Sequence, residues 1–229
     1  MITVMKNIPT LVRIAAESLI KQVSIPCLNV NVNTFTDIYK EFQQEKFNFF
    51  LDEVKRGTAD ISIQNLNDYD ILHTAYLTQQ TLLKICQQEK IKLLADLFIS
   101  YCHKLKPKHN EKLTDKYEFI LQIIENLSLQ EFHLLNILYS YEIQSLSLAS
   151  ADNKLIELSK YWDEFIAKAI NNLNISQDYV EALLTKLNGT GLYQTITGMY
   201  LGYTGNKGYL TPLFYELINF LKKDPGYAS

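Results

Sequence analysis

Five residues have the chemistry of metal ligands or general bases: Cys102, His103, His109, His73 and His133. Cys102 and His103 are adjacent, and adjacent residues on a helix point about 100° apart, so they do not converge on one ion. A histidine at a helix C-terminus has a sufficient reason to be there in the helix dipole. The pattern therefore predicts no metal and no cofactor. The paired acids Asp52–Glu53 and Asp163–Glu164 diverge in the same way and read as solvated helix faces. Six of the eight glycines fall between Gly189 and Gly208. They lack the Gly-Lys-Ser/Thr ending of a phosphate loop and fit a hairpin better. No nucleophile–base arrangement can be read from spacing, and no catalytic residue is assigned.

The remaining chemistry is cationic and aromatic. Lys186 and Lys207 are the candidates for nucleic-acid contact in the C-terminal part. Residues 127–229 hold 7 Lys, no Arg and 10 Asp/Glu, and this net of −3 disfavours phosphate binding. Residues 1–126 are balanced, 15 basic against 15 acidic. Tyr193, Tyr200, Tyr203 and Tyr209 form a candidate interaction surface, since tyrosine is an effective interface anchor. The alternative is that they cover their own module's core.

These residues need elements to position them. The longest is the stretch from Asp70 to Lys106, which has no glycine or proline. Leu72, Tyr76, Leu83, Ile91, Leu94, Phe98, Tyr101 and Leu105 recur at helical spacing, and Asn67 and Asp68 are N-cap types. The polar run Gln87–Lys90 predicts two helices with a break near Cys86–Gln88, and Leu93, Leu94, Leu97 and Phe98 as core. Upstream, Thr10–Gln22 reads as an amphipathic helix of a bundle. Leu28, Val30 and Val32 alternate with asparagines, as in a short strand or an extended linker. Thr36 or Asp37 caps a helix striped by Ile38, Tyr39, Phe42, Phe49, Phe50 and Val54 and stopped at Gly57. A helix over Thr114–Glu125 buries Phe119, Ile120, Ile123 and Ile124.

From Ser128 the signals sharpen. Ser128 and Glu131 form a capping box opening a helix through Tyr141. A second helix carries Leu155, Leu158, Trp162, Phe165, Ile166 and Ala169. Ser176 caps a third, with Tyr179, Val180, Leu183, Leu184 and Leu187 inside and Asn188-Gly189 as its end. Leu192–Leu210 then reads as a β-hairpin, and Thr211-Pro212 opens a closing helix with Leu213, Leu217, Ile218 and Phe220.

The fold class is thus mainly α: a helical bundle over residues 1–126 and a winged-helix-like module with one β-hairpin over 127–229. The phrases LSLQEFHLLNIL, YVEALLTKLNGTGLYQ and YLTPLFYELINFLK resemble, in order, the first helix, the third helix leading into the wing, and the closing strand and helix of winged-helix domains. DYDILHTAYLTQQTLLKICQQEKIKLLADLF and YEFILQIIENLSLQEFHLLNIL resemble uncharacterised bacterial helical proteins akin to abortive-infection (Abi-alpha-like) components. That resemblance implies a regulatory or defence context and no site residues.

No uncharged apolar run approaches the roughly 20 residues of a membrane span, and Cys27, Cys86 and Cys102 form no CxxC pair. The expectation is a cytoplasmic protein with buried thiols. Its leading function is a non-enzymatic interaction or regulatory protein that binds a protein partner or itself. The alternatives are a winged-helix DNA-binding regulator and an enzyme with a site where the two halves join.

Overall fold

A computed structural model describes residues 32–58, 68–105, 111–146, 154–196 and 207–221. Its elements are α1 (Val32–Gly57), α2 (Asp68–Lys84), α3 (Gln88–Lys104), α4 (Glu111–Asn126), α5 (Leu129–Leu146), α6 (Lys154–Leu173), α7 (Gln177–Thr190), β1 (Tyr193–Thr195), β2 (Gly208–Leu210) and α8 (Pro212–Leu221). The protein is mainly helical, with one small antiparallel hairpin near its C-terminal end. The expectations for Thr10–Gln22, Leu28 and Val30 lie outside the described residues.

Cα packing divides the chain into two compact units. The first holds α1–α4 and takes in Phe220 and Leu221, and the second runs from Leu127 to Asn219. In the first unit the expected break between two central helices is present. Ile85–Gln87 is non-helical, with Gln87 extended. Lys46 on α1 donates to the Leu83 and Ile85 carbonyls at 3.4 and 2.8 Å, occupying the C-terminal end of α2. Burial pulls its ammonium below the usual lysine range. Lys90 on α3 donates to the Glu125 carbonyl at 3.0 Å, and His103 lies 3.2 Å from the Gly57 carbonyl. Each of three basic side chains thus serves the carbonyl end of a neighbouring helix, where cations are favoured. Phe220 sorts with this unit, its carbonyl accepting from Ser100 Oγ and Lys104 Nζ.

Several expectations about α1–α4 are corrected. Val32 is helical, not extended, so Thr36 and Asp37 lie inside α1 and do not cap it. The apolar stripe of α2 is rotated. Ile71, Ala75 and Leu82 are buried, while Leu72 and Tyr76 are 42% and 47% exposed. Polar residues occupy the core side instead. Asp70, Thr74 and Thr78 are buried, with Thr78 Oγ1 donating to the Thr74 carbonyl and bonded to Tyr117. Tyr101 and Thr114 hydroxyls bond at 3.0 Å, and the Tyr101 and Tyr117 rings pack 4.7 Å apart. The Thr78–Tyr117 and Tyr101–Thr114 pairs offset the cost of burying those four hydroxyls, which apolar periodicity does not register. Phe42 and Phe119 are exposed, and Leu93 is half-buried; Leu94, Leu97 and Phe98 are core as expected. Cys102 is buried, but Cys86, in the break, is exposed.

In the second unit the local signals hold. The Ser128–Glu131 box is formed in both directions, at 2.7 and 3.2 Å, and Ser176 Oγ accepts from Tyr179 N. α7 runs on past Asn188-Gly189 to Thr190, and Gly191 ends it in the left-handed region at φ 76°. The loss of side-chain restriction makes glycine the residue for that position. The hairpin pairs Tyr193 with Leu210, Gln194 with Tyr209 and Thr195 with Gly208. Three residues of each strand are described, and residues 197–206 of the expected hairpin lie outside the described residues. The core takes Leu134, Leu135 and Leu138 from α5, Trp162 and Phe165 from α6, Val180, Leu184 and Leu187 from α7, and Phe214 and Leu217 from α8. Tyr179, expected inside, is exposed.

Candidate functional site

The groups proposed for nucleic-acid or protein contact fall on α7 and the hairpin. Lys186 Nζ is 2.9 Å from Glu131 Oε1. Glu131 is fully buried at the start of α5, and its other oxygen accepts from Ser128 N. Burial raises the Glu131 carboxyl, but hydrogen bonds from Lys186 and from Ser128 outweigh it, and the net shift is downward. Glu131 therefore stands ionised at neutral pH, and α7's own cation is committed to it. Lys207 Nζ is 3.3 Å from Ser159 Oγ on α6.

Of the four candidate tyrosines, Tyr193 and Tyr209 are described. Tyr193 is 1% exposed and packs under Gly208, where an added Cβ would collide with its ring and with the Gln194 carbonyl. Tyr209 is half-buried, its hydroxyl donating to Gln194 at 2.9 Å. Tyr200 and Tyr203 lie outside the described residues. The bonding edge of β2 is held by a residue with no signal in the sequence. Buried Glu142, on α5, accepts from Leu210 N at 2.8 Å and from the Tyr215 hydroxyl at 2.6 Å. Burial and then the Glu142 carboxylate push the Tyr215 phenol far above the usual range, so it remains a donor. One carboxylate thereby ties α5 to both β2 and α8.

The outward face of α7 includes exposed Gln177, Asp178, Tyr179, Ala182, Thr185, Lys186 and Asn188. It has no arginine; its carboxylates are Asp178 and the half-buried Glu181, and its one cation, Lys186, is drawn to Glu131. Beside it, Asn188, Gly191, Tyr193, Gln194, Thr195 and Thr211 line a cleft of about 480 Å³. Its polar groups are largely engaged with one another, as in Thr195 N to Asn188 Oδ1 and Thr211 Oγ1 to the Gly191 carbonyl.

Among the described residues the histidines and cysteines do not assemble. His73 Nε2 bonds Glu118 at 3.1 Å, His103 serves Gly57, and burial drives the Cys102 thiol far up. His109 and Cys27 lie outside the described residues. Among those residues no group of three or more His, Cys, Asp or Glu could hold a metal ion. Asp163 and Glu164 are exposed, while Asp52 and Glu53 pair with Lys55 and Arg56 on their own helix. Among the described residues no helix is long and apolar enough to cross a membrane. Compared with protein-family models, with curated proteins and with solved structures, the chain finds no match.

Proposed function

We propose that this chain is a non-enzymatic interaction or regulatory protein whose second unit, with the helix–helix–helix–hairpin–helix order of a winged helix, binds protein and not nucleic acid. The pairing of Lys186 with Glu131 carries this reading. A third helix that reads DNA must neutralise phosphates. Here the helix's cation neutralises a buried carboxylate of its own unit, and the exposed face keeps Asp178 and the half-buried Glu181. The complementary partner is a protein surface bearing Lys or Arg, with exposed Tyr179 as the aromatic anchor. The resemblance of the sequence to Abi-alpha-like proteins would place that contact in a bacterial stress or phage-defence setting.

The element order also favours a second reading, a DNA-binding regulator, and two experiments separate the two. Anisotropy with mixed-sequence duplex DNA at low salt is expected to show no binding tighter than about 10⁻⁴ M, the weak end of non-specific binders. A photo-crosslinker at Thr185, used in cells, is expected to capture one protein at its basic surface, and Asp178→Lys to abolish that capture. Micromolar, salt-dependent DNA binding that falls on Lys186→Ala or Lys207→Ala would establish the second reading instead.

A further inference from the structure

A groove of about 570 Å³ lies between α5 and α6, with Asn136, Ser140, Lys168 and Asn172 as its polar lining and Ile137 and Leu173 as its floor. The spacing makes one surface of it. Asn136, Ile137 and Ser140 share a face of α5, and Lys168 and Asn172 are one turn apart on α6. His133 closes the groove one turn before Asn136, and no lining residue is acidic.

The donors in this groove are unusual for the unit. Lys186 is paired with Glu131 and Lys207 reaches Ser159, but Lys168 pairs with no carboxylate among the described residues. Its ammonium sits 5.2 Å from the centre of the Tyr141 ring, a contact that holds the side chain while leaving its N–H donors unused. Neither the Asn136 nor the Asn172 carboxamide is hydrogen-bonded to another described residue. Ser140 donates to the Ile137 carbonyl at 2.7 Å, so it adds an acceptor rather than a donor. One cation and two carboxamides therefore face an apolar floor, with no negative group on the lining.

We propose that this groove binds a small organic anion, a monocarboxylate with a short aliphatic tail. The carboxylate would accept from Lys168 and the two carboxamides, and the tail would cover Ile137 and Leu173. A phosphate fits less well. Its second charge and third oxygen ask for the guanidinium fork or helix N-terminus that this lining lacks.

The test is a two-dimensional NMR titration of the full chain with acetate, butyrate and hexanoate, and with inorganic phosphate, at fixed ionic strength. The expected result is saturable shifts at Asn136, Ser140 and Asn172, with affinity rising up to about fourfold per added methylene that reaches the floor. Lys168→Ala should weaken hexanoate binding about tenfold, the loss of one charge-assisted hydrogen bond. Lys160→Ala removes the same charge from the same helix and should leave binding unchanged. The proposal is overturned by an absence of saturable shifts, by phosphate binding as well as hexanoate, by wild-type affinity in Lys168→Ala, or by an equal loss in Lys160→Ala.

Discussion

Removing Lys186 should destabilise the second unit at neutral pH and cease to do so in acid. The carboxylate it meets is fully buried, while Lys186 itself is 61% exposed on its side chain. A charge-assisted hydrogen bond in a closed interior contributes about 1.5–3 kcal/mol. Water at the exposed ammonium screens part of that, so Lys186→Ala should cost about 1 kcal/mol. Glu131→Ala also loses the bond to Ser128 N and should cost about 2 kcal/mol. The double variant should cost little more than Glu131→Ala alone, since Lys186 without its partner is a solvated surface lysine. The coupling in the double-mutant cycle is then about 1 kcal/mol. The chain's single tryptophan, Trp162, is buried in α6, so its fluorescence during urea unfolding reports on this unit. A cost of about 1 kcal/mol moves the midpoint by about half a molar urea. The sign with pH follows from Glu131, whose carboxyl is held below its usual value of 4.5 in the folded state. A depressed carboxyl contributes stability above its unfolded pKa and loses it as pH falls through the folded one. The gap between wild type and Lys186→Ala should therefore be full at neutral pH and close as Glu131 protonates in acid, below its wild-type folded value. A neutral Lys186→Ala variant, or a gap that persists undiminished in acid, would refute the pairing as a source of stability.

The same tryptophan readout applies to the hairpin. Gly208→Ala should cost about 1–3 kcal/mol, because a Cβ there collides with the Tyr193 ring and the Gln194 carbonyl. Glu142→Ala should cost about 2–3 kcal/mol, since it leaves Leu210 N and the Tyr215 hydroxyl without their shared acceptor. Thiol titration in a Cys27→Ser background should find Cys86 reactive in the native protein. Cys102, buried and with its thiol pushed up, should react only on unfolding; a fast-reacting Cys102 would contradict its burial.

Much of the local architecture was legible in residue order, because caps and breaks are short-range chemistry. Ser128 with Glu131, Ser176 before α7, and the polar run after Ile85 each marked an element boundary. The two-stranded ribbon after α7 was legible from glycine and tyrosine patterning, although its second expected role was not. Tyr193 looked like an anchor for a partner and is buried against Gly208. The phase of α2 was misread at Leu72 and Tyr76, because the polar residues Asp70, Thr74 and Thr78 took the inner face, Thr78 with the Tyr117 hydroxyl as its partner. Lys168 carried no sequence signal. Its standing depends on which charges lie across from it on α5.

Periodicity, caps and glycines determined that this chain folds as successive helices with a late hairpin, since those signals act within a few residues of one another. Charge count determined that its C-terminal part is acidic. Only the tertiary structure decided where each charge is used. Lys46, Lys90 and His103 serve the carbonyl ends of other helices, and Lys186 serves a buried carboxylate 55 positions away in the numbering. The physical reason is that a cation's partner is set by distance in space, and helices far apart in sequence meet only once the core has formed.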